Sequence, residues 1–433
     1  MPLPTNIFVT GANGFVAREI ITRLASLGHS MTGCVRNLSH CVLTDDAIKI
    51  IPLDFQSHTE KSDWLPHLSG IDVVINCVGV FQTTTSKAMW DIHYNAPRAL
   101  FDACQEIGVK KIIQISALGV DKSDVDYAKS KLAAETYLQN LTMDCVIIRP
   151  SFVYGKGSYG GSSLFRGLAS LPFFIFLPGG GQPLLQPIHV HDLVAIVEKS
   201  LDFKGKKLLC AVGSEKLSQR LLLQKMRAWL GFKKAICIPM PLLLIRMTAK
   251  LGDFFRNSPL STTGVQLMMI DNVVTDQTFE TLVKTVGFTP RSFTEGLNDM
   301  TSAVQDRWHA RLFFLRPILR ISIALLWIFT GIISMVSANR FGYPLLTQAG
   351  IDLSLQPLLL YGASIVDLFL GILVLCHFRL KLVGSLQIIL MLIFTVIVSF
   401  RLPQFWLHPF APMAKNIPLI FATLVMMALE SDR

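Results

Sequence analysis

Short apolar runs separated by turn residues fill the first 310 positions of the chain. Runs such as NIFVTG (6–11), DVVINCVG (72–79) and DCVIIRP (144–150) are mostly apolar and end in Gly or Pro. Between them lie segments with an apolar face at helical spacing, such as FVAREIITRLASLG (15–28). Continuous apolar runs are typical of parallel strands that are buried on both faces, and the intervening segments leave room for crossover helices. The pattern predicts an α/β domain built on a doubly wound parallel sheet.

The pattern changes near residue 310, where long apolar segments begin. They cover residues 321–338, 355–376, 382–400 and about 412–430. A helix needs about 20 residues to cross a bilayer; the first three segments qualify, whereas the fourth is shorter. A buried helical bundle is the alternative, but the first three segments have almost no polar face. The chain is therefore predicted to divide into a Rossmann-type domain at 1–310 and an all-α transmembrane four-helix bundle at 311–433.

Composition and charge support a membrane-embedded part. Hydrophobic residues make up 51% of the chain and charged residues only 16%, whereas charged residues are about a quarter of a soluble protein. The net charge of +10 does not indicate a nucleic-acid partner, because many positive residues flank the apolar segments. Those before the first segment are Arg307, Arg311, Arg316 and Arg320. Cytoplasmic loops carry this excess, so we predict a multi-pass membrane protein with its first domain and both termini in the cytoplasm.

The cysteines and the N-terminus agree with a cytosolic first domain. The eight cysteines lack the spacing of a zinc site, and we expect reduced, buried thiols. The first ten residues, MPLPTNIFVT, have neither the basic start nor the apolar core of a signal peptide.

A glycine-rich turn follows the first predicted strand. In TGANGFVA (10–17), Gly11 is placed for a tight turn and Gly14 for close approach of the backbone to a pyrophosphate. Ala17 occupies the third small position, where helix and strand pack closely. The N–H groups and the dipole at a helix N-terminus favour anions. The turn predicts dinucleotide binding by Thr10, Gly11, Asn13, Gly14, Phe15 and Val16.

The end of the second strand indicates which dinucleotide binds. Arg36 in CVRNLSH (34–40) stands where an NAD site usually has an acidic residue for the ribose 2′-hydroxyl. A guanidinium suits a 2′-phosphate, so NADP(H) is favoured and NAD(H) is possible. The alternative is a solvated Arg36 that contacts nothing. Asp54 in IPLDF (51–55) is placed to accept a hydrogen bond from the adenine amino group.

These segments together resemble the short-chain dehydrogenase/reductase superfamily in its extended and atypical branches, which include NAD-dependent epimerase/dehydratase-like proteins. Within this superfamily, the chain resembles the branch around the NADPH-binding accessory subunit of respiratory complex I and the NmrA-like proteins. The tail resembles the DoxX-like four-helix membrane family through ALLWIFTGIISM (324–335) and DLFLGILVL (367–375). The superfamily segments occur in family order: TGANGFVA, LDF (53–55), NCVG (76–79), HYNAPRAL (93–100), IQISALG (113–119), YAKSK (127–131), IIRPSFVYG (147–155) and QPIHVHDLVAIV (186–197).

The resemblance implies a catalytic role for YAKSK, which alone is also compatible with an ordinary helix. In this superfamily the Tyr exchanges a proton with the reacting oxygen, and the Lys holds the nicotinamide ribose and lowers the pKa of the phenol. These roles fall on Tyr127 and Lys131, which share a helix face because they are four residues apart. A nearby ammonium favours the phenolate of a Tyr whose free pKa is about 10. The resemblance also assigns Asn95 to a water-linked proton path, and Asn76 and Gly79 to the cofactor.

The catalytic serine departs from the family pattern. It usually lies one or two places after Ser116, where this chain has Ala117 and Leu118. Ser116, Ser123 or no serine at all then polarises the substrate oxygen. This departure bears on turnover rather than on cofactor binding.

The resemblance implies a smaller substrate domain assembled from about 151–185 and 200–305. Its apolar segment 168–186 is either a pocket lining, a bilayer contact or a buried helix and loop. Segment 239–255 is likewise either a core helix or an interfacial one. The cluster of His189, His191 and Asp192 is interpreted as a strand followed by a helix start, so no metal site is predicted.

The sequence thus predicts a membrane-anchored NADP(H)-dependent oxidoreductase or epimerase/dehydratase-type enzyme. It would transfer a hydride at an alcohol or ketone carbon of a small molecule, and the membrane part points to a lipid or quinone. The alternative is a non-catalytic, NADPH-binding structural or redox-sensing module. Nucleic acid is not predicted as a partner.

Asp367 stands out within the second apolar segment. A carboxylate in mid-span costs several kcal/mol unless it is paired, neutral or hydrated. We expect it to face Gln387 or Trp327 at a helix contact, or to mark a site for a quinone or a proton.

Overall fold

A sheet of seven parallel strands lies at the centre of the first part of the protein. The computed structural model describes residues 4–43, 45, 47–81, 83, 85–157, 160–253 and 262–430. The residues up to Ala310 form one compact unit, and those from Arg311 onward form a second. The strands are β1 (Asn6–Thr10), β2 (Ser30–Val35), β3 (Ile48–Pro52), β4 (Val73–Asn76), β5 (Lys111–Ile115), β6 (Asp144–Pro150), β7 (Val153–Tyr154), β8 (Phe174–Pro178), β9 (Leu184–Leu185), β10 (Ile188–His189), β11 (Lys206–Ala211), β12 (Leu217–Ser218) and β13 (Ile236–Met240).

Helices connect and cover these strands. They are α1 (Phe15–Ser26), α2 (Ser86–Trp90), α3 (Ala96–Ile107), α4 (Asp126–Asn140), α5 (Gly161–Ser170), α6 (Val190–Ser200), α7 (Gln219–Trp229), α8 (Leu242–Asp253), α9 (Thr262–Met268), α10 (Asp276–Val286) and α11 (Phe293–Asn298). A π-helical turn, Asp91–Asn95, joins α2 to α3.

The strand order of the sheet is β3-β2-β1-β4-β5-β6-β11, and every pair is parallel. The order reverses between β1 and β4, which places a crevice at their carboxyl ends, where ligands of such sheets bind. Successive side chains of a strand point to opposite faces. Ile7 and Val9 accordingly pack in the core shared with α1, whereas Phe8 packs in the core shared with α3. The predicted doubly wound parallel sheet is confirmed.

A second lobe of the same unit is built from short strand pairs. β7 pairs with β10 and β8 with β13, both in parallel, and β9 pairs with β12 in antiparallel. The predicted substrate region from about residue 200 includes β11, which in fact is the edge strand of the main sheet.

The two apolar segments of this lobe each bury one face and expose the other. In β8, Ile175 and Leu177 are buried, and in α8 Ile245 and Ala249 are buried. Residues 254–255, the end of the second segment, lie outside the described residues. The exposed apolar side chains, which we call the lobe surface, are Phe173, Phe174, Phe176, Ile236, Leu243, Leu244 and Met247.

The second unit is helical. Its helices are α12 (Val304–Val336), α13 (Tyr343–Gln348), α14 (Gln356–Leu375), α15 (Leu380–Arg401) and α16 (Asn416–Glu430). Within the described residues, α12, α14 and α15 are long and apolar enough to cross a membrane. The predicted fourth span starts later than expected, and its 15 residues extend only about 22 Å at 1.5 Å per residue. That is short of the roughly 30 Å hydrocarbon core.

Candidate functional site

The glycine-rich turn joins β1 to α1 as a tight loop in which Gly11 and Gly14 have no side chains to cover the backbone. Gly11 has φ +66°, which favours glycine, and the N–H of Gly14 donates to the Gly11 carbonyl at 2.7 Å. A Cβ atom on Gly14 would lie 3.0 Å from that carbonyl oxygen, and one on Gly11 would lie 3.1 Å from Val78. Among the described residues no side chain caps the N-terminus of α1. The geometry therefore fits an anion held by the first-turn N–H groups.

The side chains that follow Gly11 hold the turn in place. Asn13 Oδ1 accepts a hydrogen bond from the N–H of Val42 at 3.1 Å. Phe15 is buried, and its ring lies so close to the chain after β7 that a Cβ atom on Gly157 would come within 2.8 Å of it. Val16 packs against the core on the α1 side of the sheet. The structure thus gives Asn13, Phe15 and Val16 supporting contacts within the protein.

Thr10 and Asn76 form a buried polar ladder across the strand ends. The Thr10 hydroxyl donates to Asn76 Oδ1 and accepts the N–H of Cys77 at 3.1 Å. Asn76 Nδ2 donates to Gln114 Oε1 at 2.8 Å. Since these bonds occupy both predicted cofactor residues, their side chains tie β1, β4 and β5 together at the crevice.

Two positions frame the expected adenosine end. Arg36 is the first residue after β2 and is exposed. Asp54 is half-buried, and its Oδ1 accepts the N–H of Gln56 at 3.1 Å in a local turn. Arg18, which the sequence reasoning missed, lies in the first turn of α1, and its buried Nε has no hydrogen-bond partner among the described residues. Its signal was a basic residue four positions after Gly14.

Tyr127 and Lys131 lie in the first two turns of α4, and both are buried. The Lys131 Nζ lies 5.8 Å from the centre of the Tyr127 ring and donates to the carbonyl of Ile115 at 3.4 Å. A Cβ atom on Gly79 would lie 3.2 Å from Nζ. Because Gly11 contacts Val78, the neighbour of Gly79, the turn and the Tyr–Lys pair face the same strand end.

Burial sets the ionisation of the pair. It raises the pKa of Tyr127 above its usual value and lowers the pKa of Lys131 to about 8. The sequence had led us to expect a phenol pKa lowered by the ammonium, but removal from water has the larger effect because it disfavours the phenolate. Tyr127 is thus protonated at neutral pH, which suits a proton donor better than a base.

Ser116 is the first residue after β5 and follows Ile115, whose carbonyl accepts the Lys131 hydrogen bond. Its hydroxyl is buried and has no hydrogen-bond partner in the part of the chain that the structure describes. Buried polar groups usually have partners. A buried hydroxyl without a partner, next in sequence to the residue that accepts the Lys131 hydrogen bond, is therefore available to a substrate oxygen.

The predicted proton-path residue makes a different contact. Asn95 Nδ2 donates to Asp91 Oδ1, one turn earlier, at 2.8 Å. His93 instead lies against the pair: its ring meets the Tyr127 ring edge-on at 5.3 Å. Its Nε2 accepts the N–H of Val80 at 3.1 Å, and its Nδ1 lies 3.2 Å from the hydroxyl of Ser130. Burial and the charge of Lys131 hold the pKa of His93 well below its usual value, so the imidazole is neutral.

Phe81 covers the phenol. Its ring stacks on that of Tyr127 with centroids 4.9 Å apart and planes at 22°. Sequence reasoning missed both Phe81 and His93. For His93 a signal was available, because it stands in HYNAPRAL two positions before Asn95. For Phe81, in the loop after NCVG, the sequence offered no signal.

The His189, His191 and Asp192 cluster makes structural contacts. His189 Nδ1 accepts the N–H of His191 at the start of α6. Asp192 accepts hydrogen bonds from the backbone and guanidinium of Arg291 at 3.0–3.1 Å. These contacts join α6 to the segment that precedes α11.

Comparison with known proteins assigns a type to each unit. Residues 11–165 match the NAD(P)H-binding family model, and residues 324–424 match the DoxX-like family model. The chain therefore joins a segment similar to NAD(P)H-binding domains to a segment similar to DoxX-like proteins. The resemblances found in its motifs are confirmed.

Relatives of known name align with less than half of the chain. NADH dehydrogenase (ubiquinone) 1 alpha subcomplex subunit 9, mitochondrial, from Rattus norvegicus is 28% identical over 209 residues, which cover 46% of this chain and 54% of the relative. Ceramide reductase from Caulobacter vibrioides is 26% identical over 190 residues, which cover 44% and 58%. The chain thus spans about half the length of these curated relatives.

A solved structure shares the fold. The dTDP-glucose 4,6-dehydratase from Bacillus anthracis, in complex with NAD, superposes with a TM-score of 0.53 at 14% identity, over 69% of this chain and 95% of that one. At this identity the likeness concerns the fold alone.

The low pKa of Lys131 generates a pH prediction. If Lys131 holds the nicotinamide ribose, as the resemblance implies, we expect the affinity for NADPH to fall as the pH rises through about 8, because the ammonium that would donate to the ribose hydroxyls then becomes a neutral amine. Fluorescence titration of the purified protein with NADPH between about pH 6.5 and 9.5 measures this. Lys129→Met, at an exposed lysine of the same helix, should keep the decline, and Lys131→Met should remove it. An affinity of the unmodified protein that stays level over this range contradicts the prediction.

Proposed function

We propose that the protein is a membrane-anchored, NADP(H)-dependent oxidoreductase that interconverts an alcohol and a ketone on a lipid-soluble substrate. One observation supports the proposal: the Lys131 Nζ lies 5.8 Å from the Tyr127 ring and bonds the carbonyl of Ile115, and the next residue, Ser116, has a buried hydroxyl with no partner among the described residues. A nucleotide held at the turn would supply the hydride. The same groups serve an epimerase/dehydratase-type cycle, in which the hydride is later returned.

Each side chain has one role in this scheme. Tyr127, kept protonated by burial, gives its proton to the substrate oxygen during reduction. Ser116 donates a hydrogen bond to that oxygen and so favours the negative charge that develops on it. Lys131 contacts the nicotinamide ribose. His93, with Nε2 bound to the N–H of Val80, supports the Tyr127 ring from its edge and is a positioning residue.

Two arginines support the phosphorylated cofactor. Arg36 stands exposed at the strand end where the adenosine ribose is expected, and no acidic residue occupies its place. Arg18 brings a second guanidinium to the start of α1, next to the glycine-rich turn. Its Nε has no hydrogen-bond partner among the described residues. Guanidinium groups suit a 2′-phosphate, so we assign NADP(H) in preference to NAD(H).

The lobe surface supports a lipid-soluble substrate. Phe174 of β8 is the register partner of Ile236 of β13, so the exposed rings and aliphatic chains of these strands form a continuous patch. Contiguous exposed apolar patches mark interaction sites, and the basic side chains of Arg246 and Lys250 on α8 would suit anionic lipid head groups. The relative named ceramide reductase, whose substrate is a lipid, agrees with this class.

A non-catalytic role is the second candidate. Phe81 stacks directly on Tyr127, and such a cover would let the site hold NADPH without admitting a substrate. The relative named as a subunit of NADH dehydrogenase is compatible with a structural role. The tests below separate the two candidates.

Substitution of the pair tests catalysis. Tyr127→Phe keeps the ring that packs against Phe81, so NADPH should bind with near-normal affinity. It removes the proton donor, so oxidation of NADPH by a panel of long-chain ketones and quinones in lipid nanodiscs should slow by about 10²-fold or more. Lys131→Met should weaken both binding and turnover. Full activity of Tyr127→Phe would make the tyrosine a packing residue. Absence of turnover on the whole panel, with only Lys131→Met altering NADPH binding, would favour the non-catalytic role.

Cofactor choice is tested at Arg36. The unmodified protein should bind NADPH more tightly than NADH, because the guanidinium offsets the charge of the 2′-phosphate. Arg36→Asp should reverse that order, as measured by titration with each nucleotide. Lys49→Asp, at an exposed lysine of the neighbouring strand β3, should leave the order unchanged. Tighter binding of NADH by the unmodified protein would overturn the assignment.

Orientation in the membrane is part of the proposal. The arginines before the first span support a cytoplasmic first unit, and a cytoplasmic C-terminus requires that the short helix α16 also crosses the membrane. Reporter fusions at the C-terminus and near residue 345 should report cytoplasmic and external positions, respectively. The opposite pattern would refute this orientation.

A further inference from the structure

Three polar side chains lie in the interior of the helical second unit. They are Trp327 on α12, Asp367 on α14 and Gln387 on α15, and their exposed fractions are 6%, 8% and 0%. We call them the buried polar cluster. Each lies in a helix that is long and apolar enough to cross a membrane.

The cluster lacks internal hydrogen bonds. The indole N–H of Trp327, Oδ1 of Asp367 and both amide atoms of Gln387 have no hydrogen-bond partner among the described residues. Two other buried hydroxyl groups of this unit have partners: Ser364 on α14 donates to the Leu360 carbonyl at 2.7 Å, and Thr423 on α16 donates to the Leu419 carbonyl at 2.9 Å. A buried polar group without a partner is costly, and in lipid no bulk water can satisfy it.

Asp367 and Gln387 lie at the same height in the helical hairpin. Asp367 is eight residues before the end of α14, and Gln387 is seven residues after the start of α15. At 1.5 Å per residue both lie roughly 10–12 Å from the connecting turn. Each also lies on the face of its helix that packs into the common core. Gln387 lies four residues after Val383 and four before Met391, and Asp367 lies three residues before Leu370; these three apolar residues belong to that core.

Trp327 belongs to the same level. A Cβ atom on Gly331 would lie 2.7 Å from the Ser364 carbonyl, and one on Gly371 would lie 2.9 Å from the Ala324 carbonyl. These close approaches hold the stretch of α12 that contains Trp327 against the stretch of α14 that contains Asp367. Trp327 is itself part of the core that includes residues of α14, α15 and α16.

We propose that the buried polar cluster binds the hydroxyl group of a lipid-soluble alcohol. The indole only donates, whereas the glutamine amide donates and accepts and Oδ1 of Asp367 is an acceptor. A hydroxyl group matches this mixture, because it donates one hydrogen bond and accepts two. The surrounding apolar side chains would hold the hydrocarbon chain.

Other head groups match less well. A ketone or an ester only accepts, which leaves the acceptor oxygens of Gln387 and Asp367 unmatched. An alkylammonium only donates, which leaves the indole N–H unmatched. The site lies within the second unit and does not depend on the proposed reaction.

Photolabelling tests the site. The full chain in nanodiscs is irradiated with a diazirine-bearing hexadecanol, and labelled peptides are mapped by mass spectrometry. Labels should appear on α12, α14 or α15 beside the cluster, and excess hexadecanol should compete whereas hexadecane should not. Trp327→Phe, Asp367→Leu and Gln387→Leu should each lower labelling about tenfold. Ser364→Ala, which changes a buried hydroxyl that already has a partner, should leave labelling unchanged.

Thermal stability separates binding from a structural role. Because the Trp327 indole, Oδ1 of Asp367 and the Gln387 amide have no partner among the described residues, the apolar variants should unfold in detergent at the same temperature as the unmodified protein or higher. Equal competition by hexadecane, or labelling spread evenly over lipid-facing positions, would overturn the proposal. Loss of stability in all three variants, together with unchanged labelling in those that fold, would also overturn it, since the cluster would then only support the helix contact.

Discussion

The burial of one ammonium group, that of Lys131, organises the candidate site. The carboxylate nearest in sequence on the same helix face, that of Glu135, is held instead by Arg149 of β6 at 2.6–3.1 Å. Lys131 is left to the carbonyl of Ile115 and to the face of Tyr127. A buried charge with only such partners costs free energy, and this is why its pKa falls. A bound group that offers oxygen atoms to Nζ of Lys131 would therefore be stabilised, because it would complete the hydrogen bonds of the ammonium.

The rest of the site accommodates that charge. Gly79 leaves room for Nζ, and His93 stays neutral beside it. Helix α4 begins just before Tyr127, so the helix carries both members of the pair into the crevice between β1 and β4. The sheet order creates the crevice, and the glycine turn lines its other side. Catalysis and cofactor binding would thus both depend on the segment that follows β4, where Val78 meets the glycine-rich turn and Gly79 meets Lys131.

The sequence allowed the prediction of features that rest on local patterns. The turn at Gly11 and Gly14, the pairing of Tyr127 with Lys131 and three of the apolar helices all follow from spacing or periodicity. The contacts of His93 and Phe81 could not be predicted, because they depend on how the loop after β4 and the helical turn Asp91–Asn95 pack against α4. The internal hydrogen bonds of Asn76 likewise depend on the register of β4 with its neighbours. The start of the fourth apolar helix, at Asn416, was predicted only approximately, because the apolar residues before it are not helical.

The polar ladder at the strand ends has a consequence for the chemical lifetime of the protein. Asparagine ages when the backbone nitrogen of the next residue attacks its side-chain carbon and ammonia is lost. At Asn76 that nitrogen belongs to Cys77, and its hydrogen is engaged by the hydroxyl of Thr10. The departing amide nitrogen is in turn held by Gln114. The same bonds that fix the floor of the crevice therefore shield its central amide from spontaneous deamidation.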